Sequence, residues 1–443
     1  MFVARNKFLK GMRLHVYDGY EGESIADMRH REYVLDKING PTENGSVTLT
    51  GLDPLRETDE NKSEFPPTSD LALIDPLDAE STTVTIFGDG DDLSSVLGNS
   101  GELMFRVGDE FIRYTGFTTD EDGNHTLTGV DLGAGGTEHE EHETQEKLQR
   151  CGIYRRQLPW VVVDDLFRNH TSIRDDFLDL DAWNDEGGLY LPTSFVTRIM
   201  SEPTPVKSIV GRLCQQSLIF FWWAEYERKI KMQAVRPPSG EPAVLSDDAN
   251  LLDGTSITSD PDARLTRVAV FYGLKDQRLS RTESASYAFR YVITDAETEA
   301  GVDEPVTKAI YGDWIKLRTQ AAQVGFRLLS RYKEMPRFVR VKVDAKDRTV
   351  SVGSVVDLET KDIVDSEGNI DVTRWQVTSA KELKAGHSYV LDLQTFTFAG
   401  RFGFYMPDGS PVYSLATEDQ KAGGAFYADD DGLMSDGSEG YQY

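Results

Sequence analysis

The sequence predicts a mainly β chain with an α+β insert, and three observations support that prediction. Short runs of alternating apolar and polar residues recur along the chain, and Gly, Pro, Asn or Asp bounds most of them. After Arg156 the apolar residues adopt a helical spacing. Short alternating runs return after Phe338. Strands are therefore expected towards both ends, with helices between them.

The N-terminal part contains the clearest hairpin signal. "GELMFRVGDEFIRYTGF" (residues 101–117) alternates, turns at Gly108-Asp109 and alternates again. Glycine tolerates the positive φ of a tight turn, so this stretch predicts a β-hairpin. Strands are also predicted over 45–55 and 126–132, and the polar stretch 56–70 predicts a long surface loop.

The middle of the chain combines a helix with an aromatic strand. In "SEPTPVKSIVGRLCQQS" Thr204 is a candidate N-cap, and Pro205 takes the first helical position, where a missing N–H costs nothing. The helix is expected to end near Gln216. "LIFFWW" (218–223) predicts a buried strand, followed by a turn, a return strand over 229–235 and a further strand over 263–273.

A long helix is predicted from about Trp314 to Glu334, because its apolar stripe keeps a period of about 3.6 residues and Pro336 stops it. Strands are expected to follow over 338–343, 349–358, 374–379 and 389–398. The acidic, Gly-rich stretch 422–443 is expected to be disordered, or ordered only on a partner. No long-period repeat is visible.

Composition and charge narrow the function classes. The chain has 443 residues, 39% of them hydrophobic, and a net charge of −28. It contains no apolar run long enough to span a membrane and no secretory signal segment. Such an acidic balance argues against a basic nucleic-acid groove, because phosphate contacts need clustered Lys and Arg. The distant Cys151 and Cys214 form neither a disulfide framework nor a CxxC site, which favours synthesis in a reducing cytoplasm.

The segment "HEEHE" (139–143) is the first candidate for chemistry. His139 and His142 would share one face of a helix and could hold a divalent ion. The spacing is not HExxH, so the metalloprotease geometry fails. A solvated loop is the favoured interpretation, and no metal, cofactor or catalytic residue is assigned.

Other motifs also favour structural interpretations. "DEDGNH" (120–125) resembles the start of a calcium loop, but its glycine comes too early for the EF-hand pattern, so a β-turn is favoured there and over 365–369. "GAGG" (133–136) lacks the Lys-Ser/Thr of a phosphate loop. No G-x-S-x-G elbow is present. Trp222 and Trp223 could stack on sugars, although one of them is expected in the core.

Several segments occur in order between His15 and Phe398: "HVYDGYEGE", "GSVTLTGLDPL", "VGDEFIRYTGF", "LTGVDLGAGGTEHEEH", "SEPTPVKSIVGRLCQQSLIFFWW", "VFYGLKD", "RLLSRYKEMPRFVRVKV" and "VSVGSVVDLE". In this order the chain resembles the baseplate hub, or central tail-tip, proteins of long-tailed bacteriophages. The resemblance rests on the order of these segments rather than on any single segment.

The resemblance implies a structural, non-enzymatic virion protein made in the host cytoplasm. It implies a homotrimer whose protomers each supply two tube-like β-barrel domains, 1–157 and 264–400, with an α/β domain over 158–263 and a flexible tail over 401–443. Such a ring adapts a hexameric tail tube to a threefold tip. The implied partners are the distal tail protein, other tail-tip proteins, the tape measure protein and genome DNA in passage only.

The chain ends soon after the resemblance does, so receptor binding and peptidoglycan cleavage are expected to belong to other tip proteins. Two alternatives remain open at this stage. The chain could bind or cleave glycans at the host surface through Trp222, Trp223 or its acidic loops. It could also be a calcium-dependent adhesin, for which calcium would raise the melting temperature.

Overall fold

The structure is a computed structural model that describes residues 8–59, 63–78, 81–236, 242–252, 255–259, 263–295, 299–300, 304–333, 335–344, 350–384 and 387–395. The segment 422–443, expected to be disordered, lies outside the described residues. Within the described part, no helix has the length and apolar content needed to cross a membrane.

The first part of the chain contains sixteen described strands and four α-helices. The strands are β1 (Arg13–Asp18), β2 (Arg29–Asn39), β3 (Thr48–Leu52), β4 (Glu64–Phe65), β5 (Leu71–Leu73), β6 (Thr85–Phe87), β7 (Leu103–Val107), β8 (Glu110–Tyr114), β9 (Gly116–Thr119), β10 (His125–Thr128), β11 (Lys147–Arg150), β12 (Gly152–Gln157), β13 (Val196–Met200), β14 (Thr204–Pro205), β15 (Ile219–Ala224) and β16 (Lys229–Ala234). The helices are α1 (Gly90–Ser94), α2 (Pro159–His170), α3 (Leu180–Tyr190) and α4 (Val206–Ser217).

The later part continues with nine described strands and one α-helix. The strands are β17 (Ala243–Ser246), β18 (Ser256–Ser259), β19 (Arg267–Leu274), β20 (Tyr287–Thr294), β21 (Thr307–Gly312), β22 (Arg337–Asp344), β23 (Val355–Glu359), β24 (Thr373–Lys384) and β25 (Ser388–Thr395), and the helix is α5 (Arg318–Tyr332). The chain divides into two compact units, the first made from Met1–Ala234, Phe271–Phe289 and Tyr311–Gln320 and the second from the remainder.

A seven-stranded sheet in the order β8-β7-β11-β5-β6-β10-β9 belongs to the first unit. A hairpin at one end of this sheet pairs β7 with β8, with Phe105 opposite Ile112 and Val107 opposite Glu110. Gly108 adopts φ +49° in the turn, which an L side chain tolerates poorly. The inward residues of this sheet form a continuous apolar core, and the predicted hairpin is confirmed.

A second core in the first unit packs α2, α3 and α4 against the hairpin β15–β16. It buries Trp160, Trp183 and Trp314 almost completely. Helix α4 begins one residue later than predicted, because Pro205 occupies the N-cap position and Val206 is the first helical residue. Leu218 ends this helix in the left-handed conformation, and the aromatic strand then starts at Ile219. The predicted helix–strand order is confirmed.

The segment predicted as a long surface loop after Arg56 is partly buried instead. Residues Pro54–Asp59 form a 3₁₀ helix, and Glu64–Phe65 form β4, which pairs with β14. Phe65 is completely buried, and a Cβ added at Gly152 would lie 2.2 Å from its ring. The prediction was wrong because a single aromatic residue anchors a polar stretch that carries little local sequence pattern.

A buried ionic cluster fixes the residues before α5 to the helical core of the first unit. Asp313 is fully buried, and its carboxylate oxygens lie 2.9 Å from Arg198 of β13 and 3.0 Å from Arg212 of α4. Gln216 also donates to this carboxylate and accepts a hydrogen bond from the backbone N–H of Trp314. The predicted helix therefore begins at Arg318 rather than Trp314, since 313–314 are held in a turn.

The second unit contains a six-stranded sheet in the order β17-β23-β24-β25-β22-β18. Strand β17 pairs with β23 in parallel, and the other pairs of this sheet are antiparallel. Apolar residues from five of its strands form one core around Trp375. A three-stranded sheet, β20-β19-β21, and helix α5 contain residues of both units.

The fold is mainly β with helices in the middle of the chain, as predicted. The predicted bounds at 157, 263 and 400 stay predictions, as do the two tube-like barrels and the trimer.

Adjacent glycines of α3 provide a test of the helical core. A Cβ at Gly187 would lie 2.4 Å from the buried Trp160 ring, whereas a Cβ at Gly188 would have no heavy atom within 4 Å. Gly187→Ala should therefore lower the free energy of unfolding by about 1–3 kcal/mol through overpacking. Gly188→Ala should raise it by up to about 1 kcal/mol through helix propensity. Urea denaturation measures both, and equal effects would contradict this packing.

Candidate functional site

The histidines of "HEEHE" surround a buried carboxylate. Glu110, the first residue of β8, has a side chain with no exposed surface. Its Oε2 lies 2.8 Å from His139 Nδ1 and 3.0 Å from His142 Nε2, and it accepts a hydrogen bond of 3.0 Å from the backbone N–H of Glu140. Its Oε1 accepts a hydrogen bond of 2.7 Å from the N–H of Gly133. The solvated loop favoured from sequence was therefore wrong, because His142 is buried.

His139 has an acceptor at each ring nitrogen. Nδ1 faces the Glu110 carboxylate, and Nε2 lies 2.7 Å from the backbone carbonyl oxygen of Asp78. Both nitrogens can donate only when the ring is an imidazolium. Burial lowers the pKa of His139, but the hydrogen bonds to Asp78 and Glu110 outweigh burial, so its pKa lies above the usual value. The geometry and the pKa both favour a charged ring.

The pKa of Glu110 shifts the other way. Burial raises it, but hydrogen bonds from Glu140, His139, Gly133 and His142 together hold it below the usual carboxyl value. The glycine-rich segment 133–136 thus binds an anion that belongs to its own chain. Glu110 fastens the segment 133–142 to the hairpin β7–β8, and this is a structural role.

The two acidic turns have the same hydrogen-bond pattern. Asp120 Oδ1 accepts from the N–H groups of Asp122 and Asn124 at 2.9 and 2.8 Å. Asp365 Oδ1 accepts from Glu367 and Asn369 at 2.9 Å each. The backbone N–H groups thereby occupy the carboxylate oxygen that a calcium loop would offer to the ion. The favoured β-turn interpretation is confirmed in both places.

The tandem tryptophans point to opposite faces of β15, as successive strand residues do. Trp223 is buried and packs edge-on against Phe177 with ring centroids 4.8 Å apart. Trp222 is half-buried and stacks on Phe220 at 5.4 Å with an interplanar angle of 28°. The expectation that one of the two packs in the core is confirmed.

A groove of about 540 Å³ lies beside α4 and contains a thiol. Its apolar lining includes Leu55, Val210 and Phe221, and Cys214 is among the lining residues. Burial raises the pKa of Cys214 to about 12 and also raises that of Cys151. Both cysteines are free. Since the thiolate is the nucleophile, neither thiol is activated for covalent catalysis.

One cluster was missed from the sequence. His15, His30 and Glu32 bring their ligand atoms within 4.8 Å of one another through the β1–β2 register, which places His15 opposite Glu32. His15 Nδ1 lies 2.9 Å from His30 Nε2, and Arg228 Nη1 lies 2.9 Å from His30 Nδ1. The available signal was a single histidine in each of two strand-like runs, "RLHVYD" and "RHREYV".

Arg228 determines whether the cluster of His15, His30 and Glu32 can bind a metal ion. A guanidinium only donates, so His30 Nδ1 must accept and His30 Nε2 must carry the proton that faces His15. That tautomer offers no lone pair from His30 Nε2 to a metal ion. Glu32 is also paired with Arg13 at 2.8 Å and Arg174 at 3.4 Å. The residues present fit a hydrogen-bonded chain and do not fit a metal centre.

No family model and no curated protein matches the chain. Among solved structures, it is similar to a 43 kDa tail protein of prophage MuSo2 from Shewanella oneidensis, with 10% identity, a TM-score of 0.35 and coverage of 81% of this chain and 96% of that chain. It is also similar to a tail protein from Neisseria meningitidis MC58, with 12% identity, a TM-score of 0.31 and coverage of 74% and 92%.

A chain in the virion of a native gene transfer agent particle covers 91% of this chain and 85% of its own length, at 12% identity and a TM-score of 0.35. At these scores the similarities assign neither fold nor function to this chain.

Glu110→Gln tests the buried carboxylate. The substitution removes the charge that two backbone N–H groups and two imidazole rings face, so the free energy of unfolding should fall by about 1–3 kcal/mol. Hydrogen exchange at the Gly133 and Glu140 amides should accelerate more than at the core of β15. Glu143→Gln, on an exposed neighbour, is the matched control. Equal exchange in the two variants would contradict the anchoring role.

The His139 contact should depend on pH. Its folded-state pKa is raised above 6.5, so its stabilisation is fully present below that value and is lost as pH rises through the folded pKa. The difference in free energy of unfolding between wild type and His139→Gln should therefore shrink from about pH 6 to about pH 9. Urea titrations at each pH measure it, and a difference that grows with pH would exclude the imidazolium.

Proposed function

We propose that this chain is a structural protein of a phage tail, which acts as a trimeric baseplate hub at the tail tip. In this role it adapts the hexameric tail tube to a threefold tip and forms part of the channel through which DNA leaves. Its partners are two further copies of itself, the distal tail protein, other tip proteins and the tape measure protein. The order of the sequence segments between His15 and Phe398 supports this assignment.

The structural observation that carries the proposal is a pair of exposed strands at sheet ends. All four residues of β18, at one end of the six-stranded sheet, are exposed. Strand β20, at one end of its own sheet, exposes Phe289 and Val292. An exposed edge is a template for further pairing, and a soluble monomer normally blunts it with charges or covers it. Pairing with other subunits would cover both strands in the assembled ring.

The net negative charge of the chain supports the proposed role in a DNA channel. With 75 acidic against 47 basic residues, the surface repels a polyanion. Duplex DNA would pass such a wall without the phosphate contacts that retain it.

One observation favours a second function. The stacked pair Phe220 and Trp222 is half-exposed, and Lys231 and Gln233 lie opposite these rings on β16. Flat aromatic pairs with polar neighbours suit the apolar face of a sugar ring. The alternative is therefore a glycan-binding or glycan-cleaving protein of the host surface, which would be monomeric and would lose oligosaccharide binding in Trp222→Ala.

Mass and DNA binding of the purified chain test the proposal together. Sedimentation should give three times the 49.6 kDa chain mass, or larger assemblies with tip proteins. A gel shift with duplex DNA should show no binding at about 0.15 M salt, because the chain lacks the cation surplus that phosphate neutralisation needs. A monomer with saturable oligosaccharide binding would favour the alternative. Tight, salt-sensitive DNA binding would overturn the channel role.

A further inference from the structure

The turn of the hairpin β15–β16, residues 225–228, contacts the first sheet of the chain, β1-β2-β3. Arg31 of β2 lies 3.6 Å from Glu225 in the turn. Arg29, also on β2, lies over the ring of Tyr226, 4.7 Å from its centroid. These two contacts hold the turn on the sheet through side chains that are distant in sequence, and neither contact contains a histidine.

A third contact between the turn and the sheet runs through two imidazole rings. Arg228 donates from Nη1 to His30 Nδ1 at 2.9 Å, and His30 Nε2 lies 2.9 Å from His15 Nδ1. Since the guanidinium only donates, His30 donates in turn to His15. Tyr17 lies opposite His30 in the β1–β2 register and stacks on it, with ring centroids 4.5 Å apart and an interplanar angle of 7°. The strands therefore place both rings where this hydrogen-bonded chain requires them.

Each hydrogen bond of this chain uses the one lone pair that a neutral imidazole offers in the plane of its ring. Nδ1 of His30 accepts from Arg228, and Nδ1 of His15 accepts from His30. A protonated imidazole donates at both nitrogens and accepts at neither. Protonation of His30 would therefore set two donors against each other at Arg228, and protonation of His15 would do the same at His30. The chain of hydrogen bonds is complete only while both rings are neutral.

The charges that face His30 oppose its protonation on balance. Burial, Arg228 of the turn and His15 of β1 lower the pKa of His30, whereas the carboxylate of Glu32 on β2 raises it, and the pKa lies below the usual 6.5. Glu32 is itself paired with two arginines, at 2.8 and 3.4 Å. The stabilisation from a neutral His30 is thus present above about pH 6.5 and is lost as the pH falls through the folded pKa. This direction is opposite to that of the imidazolium contact on β8.

We propose that Arg228, His30 and His15 form an acid-sensitive latch, which holds the turn of β15–β16 on the first sheet at neutral pH and releases it when either histidine is protonated. The contacts of Arg29 and Arg31 remain after release, so acid loosens the turn without unfolding the hairpin. The latch goes beyond the proposed hub role and does not depend on it.

Hydrogen exchange of the full-length chain measures the release, with protection factors of residues 225–230 corrected for the intrinsic effect of pH on exchange. In wild type the protection of this segment should fall at least about fivefold from about pH 7.5 to about pH 5, because acid removes a hydrogen bond and places cations side by side. Helix α4, which Asp313 contacts without any imidazole, is the internal reference and should change by less than about twofold.

Two variants isolate the latch. His15→Gln/His30→Gln replaces both rings with amides that do not titrate. Arg228→Gln places opposite His30 an amide that can donate to the neutral ring and accept from the protonated one. Glutamine suits the left-handed φ of +53° at this position, since Gln145 adopts φ +68°. Both variants should keep their protection within about twofold across the pH range, whereas His387→Gln, at an exposed turn histidine, should reproduce the wild-type fall.

The remaining outcomes overturn the latch. Wild-type protection of residues 225–230 that does not fall relative to α4 would exclude it. A fall that persists in His15→Gln/His30→Gln would assign the pH response to another group. If that double variant is unprotected at both pH values, Arg228→Gln decides: constant protection supports the latch, and any other result contradicts it. The sedimentation and gel-shift tests of the hub role are independent of these outcomes.

Discussion

The carboxylate of Asp313 is the contact on which the arrangement of the first unit most depends. It has no exposed surface, so its charge has lost its hydration and must be compensated within the protein. Burial raises the pKa of Asp313, but Arg198 and Arg212 outweigh burial and keep the carboxyl ionised. Burial also lowers the pKa of Arg198 to about 10, which leaves it charged at neutral pH. Removing the Asp313 charge would leave the buried Arg198 without this counter-charge, and removing Arg198 would leave Asp313 with Arg212 alone.

We expect this buried cluster of Asp313, Arg198 and Arg212 to contribute more to the specificity of packing than to net stability. A buried ion pair roughly recovers its desolvation cost, whereas an alternative packing that separates its members costs several kcal/mol. Arg198 also lies over the Trp314 ring, 5.2 Å from its centroid, and the Trp314 carbonyl accepts a hydrogen bond of 3.1 Å from Thr197. One short segment, 313–314, is thus fixed in position against both β13 and α4.

Local sequence patterns predicted the helices and strands. Contacts between residues distant in sequence determine how these elements pack. The hairpin β7–β8 and helix α4 were predictable because alternation, a turn glycine and a proline at the helix start act within a few residues. Asp313 and Arg198 are 115 positions apart and Glu110 and His139 are 29 apart, so no window of the sequence shows that they meet. The segment "HEEHE" was a candidate because its two histidines could hold a metal ion. In the structure, His139 and His142 instead contact the carboxylate of Glu110 on β8.

The buried carboxylates illustrate two ways to hold a negative charge inside a strongly acidic protein. Asp313 is compensated by arginines, which stay charged across the physiological range, so its contacts should be insensitive to pH. Glu110 is compensated by backbone N–H groups and imidazoles, and the imidazole part weakens when His139 loses its proton. The contacts of Asp313 in the helical core should therefore persist across the physiological pH range. The contacts that hold residues 133–142 on β8 should weaken when His139 loses its proton. In a chain with a net charge of −28, such contacts compensate the negative charges that lie in the core.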